Sequence, residues 1–283
     1  MIPIVDTHQH LWDLTRFRLP WNKAGSPLAR NFLMVDYLNA TAGLNIIKAI
    51  YMEVDVEPEQ QTAEAQYILD ICQRGKGPTV AAVISGRPAS DGFRKYLDQF
   101  KGNRYIRGVR QVLHNPEVPA GYCLNADFIK GIRLLGERGM SFDICVRPGE
   151  LTDAAKLVAA CPDTRFILDH CGNANVQATD HAQWKRDMAT VASHKNVVGK
   201  VSGIVVSAKR GAWTEADLAP LVNHTLDVFG PDRVMFGGDW PVCTMTATYK
   251  QWVEALKNIV HHRTEQEQRK LFHDNAMQFY GLA

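Results

Sequence analysis

Ile2-Pro3-Ile4-Val5-Asp6-Thr7-His8-Gln9-His10 is a short apolar run that ends in a His-x-His pair. Read as a strand, it alternates its side chains between two faces, so His8 and His10 project from one side with Asp6 behind them. Two imidazoles converging at the end of an apolar strand can hold a borderline metal such as zinc, or polarise a carbonyl and its attacking water. The pair places the first piece of a possible site at the end of the first strand.

Seven more strand-like runs follow: Ala49–Glu53, Thr79–Gly86, Tyr105–Leu113, Ser141–Arg147, Arg165–Gly172, Asn196–Ile204 and Arg233–Pro241. With the first taken as Ile2–His8, several are continuous apolar runs, as expected of parallel strands buried on both faces. Helical patterns fill the gaps over Val35–Ala42, Gln60–Gln73, Phe93–Phe100, Ala126–Arg138, Leu151–Ala160, Ala182–Ser193, Glu215–Phe229 and Thr248–Asn258. Gly139, Pro162 and Gly230-Pro231 supply stop signals. Eight strands, each followed by a helix, predict an α/β fold: one (β/α)8 TIM barrel over residues 1–283, without linker or repeat. No Gly-x-Gly-x-x-Gly follows the first strand, which removes the usual reason to prefer a doubly wound dinucleotide fold.

Composition fits a soluble enzyme-sized domain. The 283 residues are 46% hydrophobic and 22% charged, ordinary for a globular protein with a large core. A net charge of +2 gives no reason to expect nucleic acid or an anionic membrane as partner. Asp6 and His8 interrupt the first apolar run, so it does not read as a signal peptide. No apolar stretch approaches the roughly 20 residues of a membrane span. Cys72, Cys123, Cys145, Cys161, Cys171 and Cys243 form no Cys-x-x-Cys and read as reduced core thiols of a cytoplasmic protein.

In a barrel of this type the chemistry sits at the C-terminal strand ends. Those ends carry His8 and His10 (first), Glu53 (second), Arg110 and then His114 (fourth), Arg147 (fifth), Asp169-His170 (sixth) and Asp239-Trp240 (eighth). Asp239 follows Gly237-Gly238, where backbone or ligand can come close, and reads as a general base rather than a turn cap. His170 follows the apolar run Phe166-Ile167-Leu168; catalysis is favoured over a buried histidine bonded to a carbonyl. Arg110, inside a strand, needs an anion, either a substrate carboxylate or a structural acid such as Glu53. Arg147 and Glu53 are balanced between substrate binding and structure, and Lys200 either reaches the site or pairs with an acid. Trp12, Trp21 and Trp240 could wall a ring-shaped ligand or simply pack. The other histidines, His181, His194, His224, His261, His262 and His273, fall in helical or loop stretches where solvated roles are expected.

Asp6-Thr7-His8-Gln9-His10, Leu168-Asp169-His170-Cys171-Gly172 and Phe236-Gly237-Gly238-Asp239-Trp240-Pro241 together resemble the amidohydrolase superfamily. The likeness is to its amidohydrolase-related branch, which includes sugar lactonases (L-fuconolactonase, L-rhamnonolactonase) and 2-pyrone-4,6-dicarboxylate lactonase. The ending Asn275–Leu282 resembles that branch's final helix. The resemblance implies a cytoplasmic hydrolase of carbohydrate catabolism acting on a lactone, a small molecule. Binuclear members use a bridging lysine on about the fourth strand and histidines from the fifth and sixth. Here Tyr105–Leu113 has no lysine, and Ser141–Arg147 has neither lysine nor histidine. What remains is His8, His10 and Asp239, with His170 nearby: a weak site for one divalent ion, zinc foremost, or none.

The expectation is therefore a lactonase in which Asp239 activates water. The lactone carbonyl would be polarised by one ion on His8 and His10, or by His170 and Arg110; Arg110 and Arg147 would hold a substrate carboxylate or hydroxyls. A sugar acid lactone is preferred over an aromatic-derived one. The rivals are a zinc-dependent amidohydrolase or decarboxylase of the same superfamily, a non-catalytic sugar-acid-binding barrel, and a scaffold.

Overall fold

The structure is a computed structural model that describes residues 2–282. Eight parallel strands stand side by side in chain order: β1 Ile4–Gln9, β2 Ile46–Met52, β3 Thr79–Ser85, β4 Ile106–Val112, β5 Ser141–Cys145, β6 Arg165–Leu168, β7 Val197–Val201 and β8 Val234–Phe236. The seam between β8 and β1 is drawn together by His10 N–H donating to Trp240 O (2.8 Å) and Thr7 Oγ1 donating to Phe236 O (2.6 Å). The result is a nearly closed (β/α)8 barrel, as the alternating pattern predicts. Helices cover the outside, among them Gln61–Arg74, Ala126–Glu137, Leu151–Ala160, Ala182–Ala192, Glu215–Phe229 and Tyr249–Ile259.

Local chemistry sets the helix ends. The Asn125 side chain accepts from the backbone of Asp127 and Phe128 to start one helix, and Thr248 with Gln251 forms a capping box at another, each satisfying amide groups that have no partner within the helix. Gly75 ends Gln61–Arg74 in the left-handed conformation. The chain finishes with Glu265–Arg269, a π-helical turn Lys270–Asp274 and Asn275–Tyr280.

Two apolar layers flank the sheet. The larger lies between sheet and helices. The smaller fills one end of the barrel with Val5, Ile50, Ala81, Val83, Ile167 and Met235, closed off by Tyr280 and Leu282. Above it the inward side chains turn polar: His8, Arg110, Asp143, Asp169 and Lys200 are all buried. The apolar layer supplies stability and the polar one faces the C-terminal strand ends.

One departure from simple alternation matters. Asp6 pairs with Ala49 and Gln9 with Tyr51, so β1 spends three steps where β2 spends two. This extra residue, a β-bulge, shifts the side-chain parity. Val5 and His8 both face inward, whereas Asp6 turns away from the histidines. Its carboxylate accepts from Gly238 N–H (2.7 Å), His8 N–H (3.0 Å), Tyr37 Oη (2.8 Å) and Tyr249 Oη (2.9 Å). Asp6 is a structural tie between β1, the loop after β8 and two helices.

Strands six and eight are shorter than the apolar runs suggest. The ladder stops at Leu168 and Phe236 because the segments beyond leave the sheet: His170, Cys171, Asn173 and Asp239 all have positive φ. Bent this way, His170, Asn173 and Asp239 present their side chains at the barrel mouth instead of continuing the pleat, while Cys171 stays buried.

Candidate active site

His10 Nδ1 lies 2.9 Å from Met52 O. A carbonyl only accepts, so Nδ1 carries the proton and Nε2 presents a lone pair. That nitrogen sits 3.4 Å from Asp239 Oδ1, and His8 Nε2 is 3.7 Å from the same oxygen. His8 Nε2 is also 3.2 Å from Arg110 Nη1; a guanidinium only donates, so this nitrogen too is an acceptor. Its other nitrogen, Nδ1, lies 3.5 Å from Asp169 Oδ1. Burial, opposed by Asp169, holds the His8 pKa well below the usual histidine value. The His8 lone pair is thus already met by Arg110, while the His10 lone pair and the Asp239 oxygen face one another with no proton between them, an arrangement that calls for a proton or a cation.

Beneath this point lies a sealed charge network. Arg110 Nε donates to Glu53 Oε1 at 2.7 Å and Nη2 to Glu53 O at 2.8 Å, which locks the guanidinium in place. Lys200 Nζ lies 2.7 Å from Asp143 Oδ2, 2.9 Å from Asp169 Oδ1 and 3.3 Å from His8 Nδ1. Burial raises the Asp143 pKa despite Lys200, whereas for Asp169 the attraction of Lys200 and His8 outweighs burial and holds it well below the usual carboxylate range. Through Asp169 and Arg110 the network grips both nitrogens of the His8 ring.

His170 stands on the other side of Asp239. Its Nδ1 is 2.8 Å from Ser202 Oγ. Burial, the largest single influence, would lower its pKa, but the Asp239 carboxylate together with Cys145 and Asp169 outweighs it and raises the pKa. Gly203 makes this approach possible: at φ +62°, a Cβ placed there would lie 2.3 Å from His170 Nδ1 and 3.0 Å from Asp239 Oδ2. Only glycine fits without moving one of them.

The candidate metal ligands regroup accordingly. His8, His170 and Asp239 form one set whose ligand atoms all lie within 4.8 Å of one another, and Cys145, Asp169 and His170 form another; His10 belongs to neither, though it stands beside Asp239 and His8. Imidazole nitrogens with a carboxylate oxygen match the chemistry of one divalent ion such as zinc, so the residues present fit that group.

A pocket of about 290 Å³ opens over these residues. Trp12, Trp21 and Val54 form an apolar side of it; His10, Asp239, His170 and Arg110 reach it as well. Trp12 is anchored by its Nε1 donating to Arg30 O at 2.7 Å and by an edge contact with Trp21.

Three expected binding residues stand elsewhere. Trp240 is buried edge-on against Phe32 and Tyr37 and is absent from the pocket wall, because the turn that aims Asp239 inward sends the indole into the core. Glu53 is fully buried under Arg110 and serves as its counter-ion. Arg147 pairs with Glu150 Oε2 at 3.0 Å and donates to Val118 O at 2.6 Å; it pins the loop after β4 and does not line the pocket. Arg110 does line it, but with its charge already balanced by Glu53.

Other pocket residues escaped sequence reading. Asp55, Asn115, Asn173, Cys145 and Gly203 all line it. Cys145 at the end of β5 has its Sγ 3.2 Å from His114 Nδ1. The Gly after Ser202 was the one available signal, and it resembled any other turn glycine. All six cysteines are free and buried. Among the described residues, no helix is long and apolar enough to cross a membrane.

A family model described as amidohydrolase, Amidohydro_2, matches residues 5–282. The chain belongs to the amidohydrolase family. This amidohydrolase is 28% identical to an uncharacterized protein, y4mH, of Sinorhizobium fredii, with 99% of each chain covered. It is 27% identical to an L-fucono-1,5-lactonase of Burkholderia multivorans, covering 98% of this chain and 96% of that one. Among solved structures, an amidohydrolase of Burkholderia multivorans with bound zinc superimposes with a TM-score of 0.89 at 26% identity, over 99% of this chain and all of the other. The family that the three motifs resemble, and the barrel expected from the alternating strands and helices, are thereby established.

Proposed function

We propose that this amidohydrolase is a lactonase that opens a sugar acid lactone by water attack at the barrel mouth. The observation that carries the reading is the convergence of His8 Nε2 and His10 Nε2 on Asp239 Oδ1 at the base of a pocket sized for a small molecule. It is supported by the L-fucono-1,5-lactonase that matches along nearly the full chain.

Asp239 takes a proton from water as the water oxygen bonds to the ring carbonyl carbon. His170, beside Asp239 and held by Ser202, gives a proton to the ring oxygen as the carbon–oxygen bond breaks. The product is an open-chain hydroxy acid. His10, fixed by Met52 O, and His8, fixed by Asp169 and Arg110, orient the water and carbonyl. Trp12 and Trp21 cover an apolar face of the ring.

Where a single divalent ion is held, His8, His170 and Asp239, with His10 beside them, would be its ligands and it would supply Lewis-acid polarisation of the carbonyl; a ligating His170 nitrogen carries no proton, so the proton-donor role of His170 belongs to the ion-free site. The imidazole-rich donor set also favours a second reading, a zinc-dependent amidohydrolase of different substrate.

Product release from a panel of aldonolactones, pyrone lactones, simple esters, amides and carboxylic acids, with spontaneous lactone opening subtracted, tests the function. Aldonolactone turnover is expected. Turnover confined to amides or carboxylic acids, or binding of sugar lactones without turnover, would replace it with the zinc-dependent or the non-catalytic reading.

A further inference from the structure

Five non-glycine residues among those described have positive φ: Asp55, His170, Cys171, Asn173 and Asp239. All but Cys171 line the pocket. Backbone held in this region is strained and persists where the surroundings over-determine it, which is typical of ligand sites. His170 and Asp239 have roles in the proposed reaction. Asp55, at φ +49°, does not.

Its surroundings are built to fix a carboxylate. Asp55 N–H donates to Glu53 Oε2 at 2.7 Å. Arg87 Nη2 donates to Oδ1 at 3.0 Å and Asn115 Nδ2 to Oδ2 at 2.8 Å. Each carboxylate oxygen thus has one donor and keeps acceptor capacity, and the side chain is 16% exposed on the pocket side of the fold. Two adjacent acceptor oxygens held in one plane suit two adjacent hydroxyl donors.

The charge balance points the same way. The guanidiniums nearest the pocket are already paired: Arg110 with Glu53, Arg87 with Asp55 and Arg147 with Glu150. With Asp55 counted against Arg87, Asp239 is the carboxylate facing the cavity that no guanidinium pairs, and the free acceptor sites of Asp55 face it as well. A ligand with its own carboxylate would lie against the Asp55 and Asp239 carboxylates and find no unpaired guanidinium among these three to answer it.

We propose that Asp55 is the specificity-determining residue of this pocket: its carboxylate accepts hydrogen bonds from a vicinal pair of ring hydroxyls and turns away lactones that carry a free carboxylate. The assignment rests on the lactonase reading above and names which side chain selects the substrate.

The experiment compares wild type, Asp55→Ala and Asp55→Asn on L-fucono-1,5-lactone, unsubstituted δ-valerolactone and a δ-lactone bearing a carboxylate. Asp55→Ala is expected to lower kcat/KM on the hydroxylated lactone roughly 10- to 100-fold, the scale of lost charge-assisted hydrogen bonds, with a much smaller fall on δ-valerolactone. Asp55→Asn should raise the carboxylate-bearing lactone relative to the hydroxylated one. Equal losses on the hydroxylated and bare rings would overturn the assignment and make Asp55 a prop for Arg87 and Asn115. A wild type that opens none of the three overturns the lactonase reading instead. Asp55 is then judged by calorimetric binding of 1,5-anhydro-L-fucitol, a ring ether with the same hydroxyls: weaker binding by Asp55→Ala upholds it, and equal or absent binding ends it.

Discussion

Lys200 Nζ lies 2.7 Å from Asp143 Oδ2, and neither side chain is exposed to water. The same ammonium reaches Asp169, which in turn approaches His8. The pair therefore supports the site from inside the barrel, at the level where the apolar packing ends. A buried charge left without its partner is far more costly than a pair replaced as a unit.

Removing the cation should accordingly unfold the chain more readily than removing the acid. Lys200→Met strands two carboxylates and is expected to cost about 3–5 kcal/mol. Asp143→Asn should cost much less, because burial already pushes that carboxyl toward its neutral form. Urea denaturation of both variants checks the order; similar losses would show that Lys200 depends on Asp143 rather than on Asp169.

Asp239→Asn keeps the shape and removes the base. Turnover on the confirmed substrate should fall by roughly 100- to 10,000-fold, the usual contribution of a general base, with an unchanged circular dichroism spectrum. Wild-type turnover in the purified variant would remove Asp239 from the proposed mechanism.

Gly203→Ala places a methyl group against His170 and Asp239. Because Gly203 has φ +62°, the substitution also costs roughly 1–2 kcal/mol of backbone strain. The expected signature is a loss of kcat out of proportion to the drop in Tm. Full activity in the folded variant would mean that His170 can move without consequence.

Glu64 gives a pH prediction outside the site. Burial pushes its carboxyl up to about 8, with Glu53 adding to the shift; Oε1 accepts from Tyr51 Oη and Val54 N–H, while Oε2 has no partner. The folded state thus holds a proton that the unfolded chain releases near its ordinary value of 4.5. Stability from this group is full below that value, falls as pH rises towards about 8, and stays low above it. Glu64→Gln should flatten this loss, so its Tm relative to wild type should be higher at pH 8.5 than at pH 5. An identical Tm difference at the two pH values would place the Glu64 pKa near the unfolded one.

Zinc added to chelator-treated protein should bind at one ion per chain by calorimetry, and Asp239→Ala or His170→Ala should weaken it by at least about tenfold, the scale of lost ligands and their supports. His10→Ala should weaken it less, because His10 is not in the mutually close set. Equal affinity in all three variants would place the ion elsewhere.

Much of the barrel was legible because continuous apolar strands and amphipathic helices follow directly from burial on two faces and on one. Leu151–Ala160 and Glu215–Phe229 agree with the sequence pattern at both ends. The strand-end rule also brought His8, His10, His170, Arg110 and Asp239 to one mouth. Side-chain direction was less legible. The bulge in β1 separates Asp6 from the histidine face, and alternation alone has no means of marking an inserted residue.

The chain's own pattern of strands, helices and three motifs determined the barrel, the family and which strand ends meet, since these depend on periodicity and local residue type. Tertiary structure decided what each charge does. Arg110 spends its charge on Glu53, Arg147 holds a loop, and Trp240 is core, while Asp55 and Gly203 shape the pocket. Those roles rest on partners 57 residues apart in the case of Arg110 and Glu53. They also rest on backbone turns of positive φ, and neither is encoded by the spacing along the chain. His8 and Asp239, 231 positions apart in sequence by their numbering, become one site only when β1 closes against β8.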